Sequence, residues 1–141
     1  MKKFYLDFAG YFISKDNLPK GESGIYFVYR GVYNKQSDNV QLNELIYIGK
    51  GEDIYARHHP HDRQNDFDST LQKGEILIYS YTLVDESELS RVECGLIYKR
   101  KPRLNSNCTC SFDYPATHFV LSGCCYDFNP TDFILHDYEH C

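Results

Sequence analysis

The sequence predicts one small domain of the α/β (α+β) class, and three observations predict it. Gly24–Arg30, Leu45–Gly49 and Glu75–Val84 are short runs rich in aromatic and β-branched residues, the composition of strands. Two stretches, about Glu52–His59 and Asp85–Arg100, carry helix start and stop signals. The chain has 141 residues, 42% of them hydrophobic. That is enough for a single core, because a domain of this size buries roughly 68–70% of its unfolded surface.

In chain order, Phe4, Leu6 and Phe8 alternate with Tyr5 and Asp7, as in a short strand, and residues 16–21 (DNLPKG) form a turn cluster. The first confident strand is Gly24–Arg30 (GIYFVYR), and its neighbour is Leu45–Gly49. The polar residues between them read as a long hairpin connection, with or without short strands of its own, long enough to suggest a function. Glu52 and Asp53 open the next helix and Pro60 closes it. Residues 61–73 are polar and read as a loop with a short helix. Glu75–Val84 (EILIYSYTLV) is apolar on both faces, with Ile76 and Ile78 on one side and Leu77, Tyr79, Tyr81 and Leu83 on the other, as befits a central strand covered twice. The last helix begins at Asp85 and Glu88, spaced as a capping box. Its buried stripe is Leu89, Val92 and Leu96, and Lys99, Arg100, Lys101 and Pro102 end it.

The tail from residue 106 changes character. It carries Cys108 and Cys110, a strand-like 118–122, Cys124 and Cys125, and a helix start at Asn129-Pro130. Five of the six cysteines lie in the last 34 residues. Without a targeting segment the expected compartment is the cytoplasm, where thiols or a metal site are favoured over disulfides. With His118, His136, His140 and Cys141, these cysteines could make a structural Zn²⁺ site, although the spacing is not a paired C-x₂-C; buried free thiols are the alternative. No stretch approaches the ~18 apolar residues of a membrane span. The net charge of -5 argues against a broad non-specific nucleic-acid footprint, though not against a local basic cleft.

Two places carry chemistry. Tyr47–His61 (YIGKGEDIYARHHPH) brings a phenol, the Lys50 amine, the Arg57 guanidinium and the His61 imidazole onto a strand end, a glycine turn and a helix, groups suited to holding a phosphate. Each has a plainer reading: Tyr47, like Tyr26, as a strand aromatic, Lys50 as a solvated turn residue, Arg57 paired with Glu52 or Asp53. The second place is Glu93. At 100° per residue it falls about 40° from Leu89, inside the apolar stripe. A carboxylate turned inward needs a partner, either an ion pair with Arg57 or a lysine, or a metal.

Gly24-Ile25-Tyr26, then Tyr47-Ile48-Gly49, Arg57 ten residues after Tyr47, His61 fourteen after it, Glu93 on a later helix and Asn105 after Pro102 resemble, as an ordered set, the GIY-YIG nuclease family. The resemblance spans about residues 22–106, leaving 107–141 as a Cys/His-containing C-terminal extension of a single 1–141 domain. It implies a small three-stranded antiparallel sheet flanked by helices. It also implies hydrolysis of phosphodiester bonds, in DNA first and RNA as a further option, with one divalent metal, Mg²⁺ or Mn²⁺. Carried over, Glu93 holds the metal and Tyr26 contacts the attacking water as base or orienter. Tyr47 supports it, Arg57 binds the scissile phosphate with Lys50 beside it, His61 assists in proton transfer or phosphate contact, and Asn105 braces the site. Pro60 before His61 leaves His58 and His59 as alternatives, and the long connection suggests an added lobe, Asn34–Asn43, touching DNA. A catalytically weak or inactive nucleic-acid-binding module on the same fold is the other functional reading. A ligand- or protein-interaction domain, in which Glu93 and Arg57 form an ordinary buried pair, is a third.

Overall fold

The computed structural model describes residues 1–141. Six strands form one sheet: β1 (Lys2–Phe12), β2 (Gly24–Asn34), β3 (Asn39–Gly51), β4 (Ile76–Leu83), β5 (Thr117–Gly123) and β6 (Asp132–Leu135). Their spatial order is β3-β2-β4-β1-β5-β6. All neighbours are antiparallel except β1 and β5, which run parallel from Lys2↔Thr117 to Phe8↔Gly123. The helices are α1 (Ile54–Arg57), α2 (Gln64–Ser69) and α3 (Leu89–Arg100), and only α3 is long.

The expected three-stranded sheet flanked by helices is therefore wrong: the sheet is six-stranded, mixed and curled. Two physical causes account for the difference. The alternating Phe4, Leu6 and Phe8 do form a strand, but it finds its partners far along the chain, in β4 and β5. The tail supplies β5 and β6, whose Phe119, Leu121, Phe133 and Leu135 enter the same core as Phe4, Leu6 and Phe8. Such long-range pairing leaves no local signal.

The supposed connection between the first two strands is also strand. β2 and β3 stay paired out to Asn34↔Asn39 and reverse over residues 35–38, so Asn34–Asn43 is the end of a long hairpin, not a separate lobe. The helix expected over 52–59 shrinks to the four residues of α1, capped by Asp53, whose carboxylate accepts from the Ala56 N–H at 3.1 Å. The expected capping box does not form either. Asp85 opens a 3-10 turn, Glu86–Glu88, and its carboxylate accepts from the Ser87 hydroxyl at 2.6 Å. No helix starts at Asn129; β6 follows instead.

The sheet separates two cores. On one face, α3 packs Leu89, Val92 and Leu96 against Ile25, Phe27, Tyr29, Leu45, Ile48 and Ile78. On the other, Tyr26, Val28, Ile46, Leu77 and Tyr79 meet Leu18, Ile54 and Phe67. β4 thus buries both of its sides, as its pattern predicts. The tail is tied to α3 directly, since a Cβ on Gly95 would stand 2.3 Å from the Phe119 ring. Residues 137–141 run back along 110–114, with the Phe112 N–H donating to Glu139 O at 2.7 Å, and a Cys110–Cys141 disulfide joins them over a Cα separation of 5.0 Å. That pair departs from the expectation of free thiols; Cys94, Cys108, Cys124 and Cys125 are free.

If the tail shares the core, truncating it must weaken the whole. Phe119→Ala is expected to cost about 3–5 kcal/mol and to keep a single urea transition for the sheet and α3. Two separate transitions would show that the tail folds apart.

Candidate active site

The site is organised where β2, β3 and α1 meet. Tyr26 and Gly49 are register partners across β2 and β3. The Tyr26 ring lies over Gly49 so closely that a Cβ there would be 2.2 Å from both its Cζ and its Oη. No other residue leaves that space. The same contact sets Tyr26 Oη 2.7 Å from His61 Nε2. Tyr47, from the next strand, completes the cluster, with ring centroids 6.3 Å from Tyr26 and 5.9 Å from His61.

The three candidate histidines separate clearly. The helix ends at Arg57, so His61 reaches Tyr26 from the loop beyond Pro60 and not as a further helical turn. It is buried, and its Nδ1 accepts from the Arg63 N–H at 3.0 Å. His58 is fully buried edge-on to Tyr26, and neither of its ring nitrogens has a hydrogen-bond partner. His59 turns away, bonded to Tyr55 O and Asp16, each at 2.7 Å.

Asn105 braces the site without entering it. Its side-chain amide accepts from the Ile48 N–H and donates to Ile48 O, both at 2.9 Å, and the Leu104 N–H donates to Ile46 O at 3.2 Å. β3 is an edge strand, and these bonds satisfy its outward backbone groups on both sides of Tyr47.

Arg57 pairs with the exposed Asp62 at 2.8 Å and Lys50 donates to Ser90 Oγ at 2.7 Å. Glu93, half-buried on α3, is thus left without an ion pair, so the Glu93–Arg57 salt bridge is not made. Burial raises the Glu93 carboxyl above the usual carboxylate range, against the opposing pull of Lys50 and Arg57. Burial likewise raises both phenols, with the Glu93 charge adding to the effect. The Glu93 and Arg57 charges are thus felt by both phenols, and the Lys50 charge by Glu93. Beside them opens a cleft of about 570 Å³, lined by Lys50, Gly51, Arg57 and Ser90 and rimmed by Glu52 and Glu86.

Spacing alone missed three residues. Arg63 lies over the Tyr47 ring, 5.5 Å from its centroid, and donates to Leu104 O at 2.9 Å. Asp62 covers Arg57, and Ser90 holds Lys50. The basic pair Arg57 and Arg63 around His61 was the available signal. Nowhere do three or more His, Cys, Asp or Glu side chains gather to hold a metal. Of the cysteines considered for Zn²⁺, Cys110 is bonded to Cys141. No helix is long and apolar enough to cross a membrane.

Over 66 residues the chain is 39% identical to UvrABC system protein C of Mycoplasmoides gallisepticum (strain R(low / passage 15 / clone 2)), a segment covering 45% of this chain. The match spans 11% of that relative's length. No family model and no solved structure matches the chain.

Two outcomes follow from this geometry. Gly49→Ala should drive the Tyr26 ring from its place and cost about 1–3 kcal/mol in urea unfolding. Wild-type stability in the substitution would show that the ring has room. The second concerns pH. Burial lowers His58 to about 3 and His61 to about 4. Above pH ~6.5 both rings are neutral folded and unfolded. Below it the unfolded chain takes up protons that the folded chain refuses, so unfolding free energy falls as pH drops from about 6.5 towards 4. His58→Leu removes one such proton and should flatten that slope by about 1.4 kcal/mol per pH unit. An unchanged slope would mean that His58 already titrates normally.

Proposed function

We propose that the chain is a metal-dependent endonuclease that hydrolyses phosphodiester bonds in DNA through a site of the GIY-YIG kind. The observation that carries this reading is the unpaired, half-buried carboxylate of Glu93 set among Arg57, Lys50 and two phenols. The ordered motif and the 66-residue likeness to a UvrABC system protein C support the same family reading.

A divalent cation fits this carboxylate. Glu93 is partly desolvated, protonates more readily than an ordinary carboxylate and has no ion-pair partner, and a cation would offset the desolvation and favour the ionised form. Mg²⁺ is commonly held by one or two carboxylates together with waters and substrate phosphates, so a single acid suffices, and Mn²⁺ takes the same oxygen ligands. Such a cation would offset charge on the phosphate and activate water.

The chain's own groups supply the rest. Arg57 can grip a phosphate through two N–H groups once Asp62 releases it. Lys50 adds a second positive charge from the turn. A phenol hydrogen bond to the phosphate would stabilise the charge that grows on its oxygens. Asn105 fixes the strand that carries Tyr47.

Purified protein is expected to nick supercoiled plasmid in Mg²⁺ or Mn²⁺, and Glu93→Gln to lower that rate by about 100-fold or more while folding normally. Wild-type protein that cuts neither DNA nor RNA would overturn the enzyme reading. Salt-dependent DNA binding without cleavage would select a binding module on the same fold.

A further inference from the structure

The family resemblance gives Tyr26 the attacking water and leaves Tyr47 in support. We infer from the structure that these roles are exchanged: Tyr26 and His61 form a sealed positioning pair, and Tyr47 is the phenol that meets the substrate. The inference rests on the nuclease reading for the substrate's identity, but the sealed pair is a matter of geometry alone.

Three observations carry it. Tyr26 is 0% exposed. Its hydroxyl is bounded by His61 at 2.7 Å and by the backbone of Gly49. Neither water nor phosphate has room beside it.

His61 is likewise fully committed. The Arg63 N–H donates to Nδ1 at 3.0 Å, so the neutral ring must carry its proton on Nε2. That Nε2–H donates to Tyr26 Oη. Both ring nitrogens are then used inside the protein, and nothing on the imidazole is left for a phosphate. The titratable groups around it are Tyr26 from β2, Tyr47 from β3, Arg57 from α1, the neutral His58 ring 5.0 Å away, Lys15 from the turn before β2, and Asp62 and Arg63 of its own loop. The 3.4 Å approach of Asp62 to Nδ1 is an ion pair only for a protonated ring. Burial and the two arginines hold the ring neutral, so the Arg63 N–H is the partner that counts.

Tyr47 contrasts at each point. It is half-buried, its hydroxyl makes no hydrogen bond within the protein, and its ring is steadied by His61 on one side and the Arg63 guanidinium on another. It feels the charges of Glu93 and Arg57, the groups that would flank a bound phosphate. Tyr47 is thus placed as the contacting group, while Tyr26 and His61 are positioning residues that hold the loop carrying Asp62 and Arg63 against β3.

Two measurements need no substrate. In ¹⁵N NMR of wild-type protein at pH 7, His61 is expected as the Nε2–H tautomer; an Nδ1–H tautomer or an imidazolium overturns the pair. Nitration of the folded protein with tetranitromethane, mapped by mass spectrometry, is expected at Tyr47 and not at Tyr26; nitration at Tyr26 overturns its burial. With plasmid DNA and Mg²⁺, Tyr47→Phe should lower kcat by about 100-fold, with stability and the His61 signal unchanged. Tyr26→Phe should alter the His61 signal and lower stability, with less than a tenfold loss in kcat. His61→Gln, which keeps a donor, should retain more activity than His61→Phe. A deeper kcat loss in Tyr26→Phe than in Tyr47→Phe, with the His61 signal intact, would return Tyr26 to the substrate. If wild type does not cut, the nuclease reading fails, while the tautomer and the nitration pattern still decide the pair.

Discussion

The close approach of the Tyr26 ring to Gly49 governs the arrangement of the site. A side chain at Gly49 would occupy the phenol's own volume, so β2 and β3 can carry these residues opposite each other only because one has no Cβ. From that contact the rest follows in order. The ring packs over Gly49 of β3, and His61, from the loop after α1, closes onto its hydroxyl. His61 in turn holds the Arg63 N–H, and Arg63 reaches both the Tyr47 ring and the carbonyl of Leu104. Leu104 and Asn105 then bond the outer edge of the same strand. The chain of contacts closes on β3, and each link limits the freedom of the next.

The two faces of the sheet divide the labour. The face under α3 is a continuous apolar core that recruits strands from both ends of the chain. It supplies most of the buried area, and with it most of the hydrophobic stabilisation. The other face has a smaller core that includes Tyr26 and Tyr79, with the buried His58 and His61 packed against the Tyr26 ring. His58 shows the cost of this arrangement. A ring with both nitrogens buried and unpartnered is destabilising relative to an apolar side chain of similar size. The larger core on the opposite face offsets such a loss, which lets the site face carry groups that a minimal core would exclude.

How much of this was legible in the sequence depended on distance along the chain. Tyr26, Tyr47, Arg57 and His61 fall within 36 consecutive residues, and the structure brings Tyr26, Tyr47 and His61 together. Glu93 was legible because a carboxylate inside the Leu89–Val92–Leu96 stripe conflicts with that stripe's burial. The strand β1 was visible in its alternation, but its partners were not, since parallel pairing of Lys2–Phe8 with residues 117–123 is set by packing across the whole chain. The full extension of β2 and β3 was obscured for a different reason. Its outer residues are polar because that end of the hairpin is exposed, and polarity there imitates a loop. The division between Tyr26 and Tyr47 could not be read at all: both are tyrosines on strands, and only the three-dimensional packing decides which hydroxyl is sealed.

The charge balance around Arg57 bears on how an anion could enter. The chain is net negative, and the cleft beside Arg57 is rimmed by Glu52 and Glu86, with Asp62 already on the guanidinium. A phosphate therefore competes with a carboxylate for the same N–H groups while it approaches other acids. Asp62 is exposed, and an exposed ion pair is weak, with a median near 0–1 kcal/mol, so it yields at little cost. Glu93 differs, because it is half-buried and its charge is less screened by solvent. A divalent cation on Glu93 would change its effect on a phosphate from repulsion to attraction. On this electrostatic ground a cation on Glu93 and a phosphate beside Arg57 would favour each other's binding.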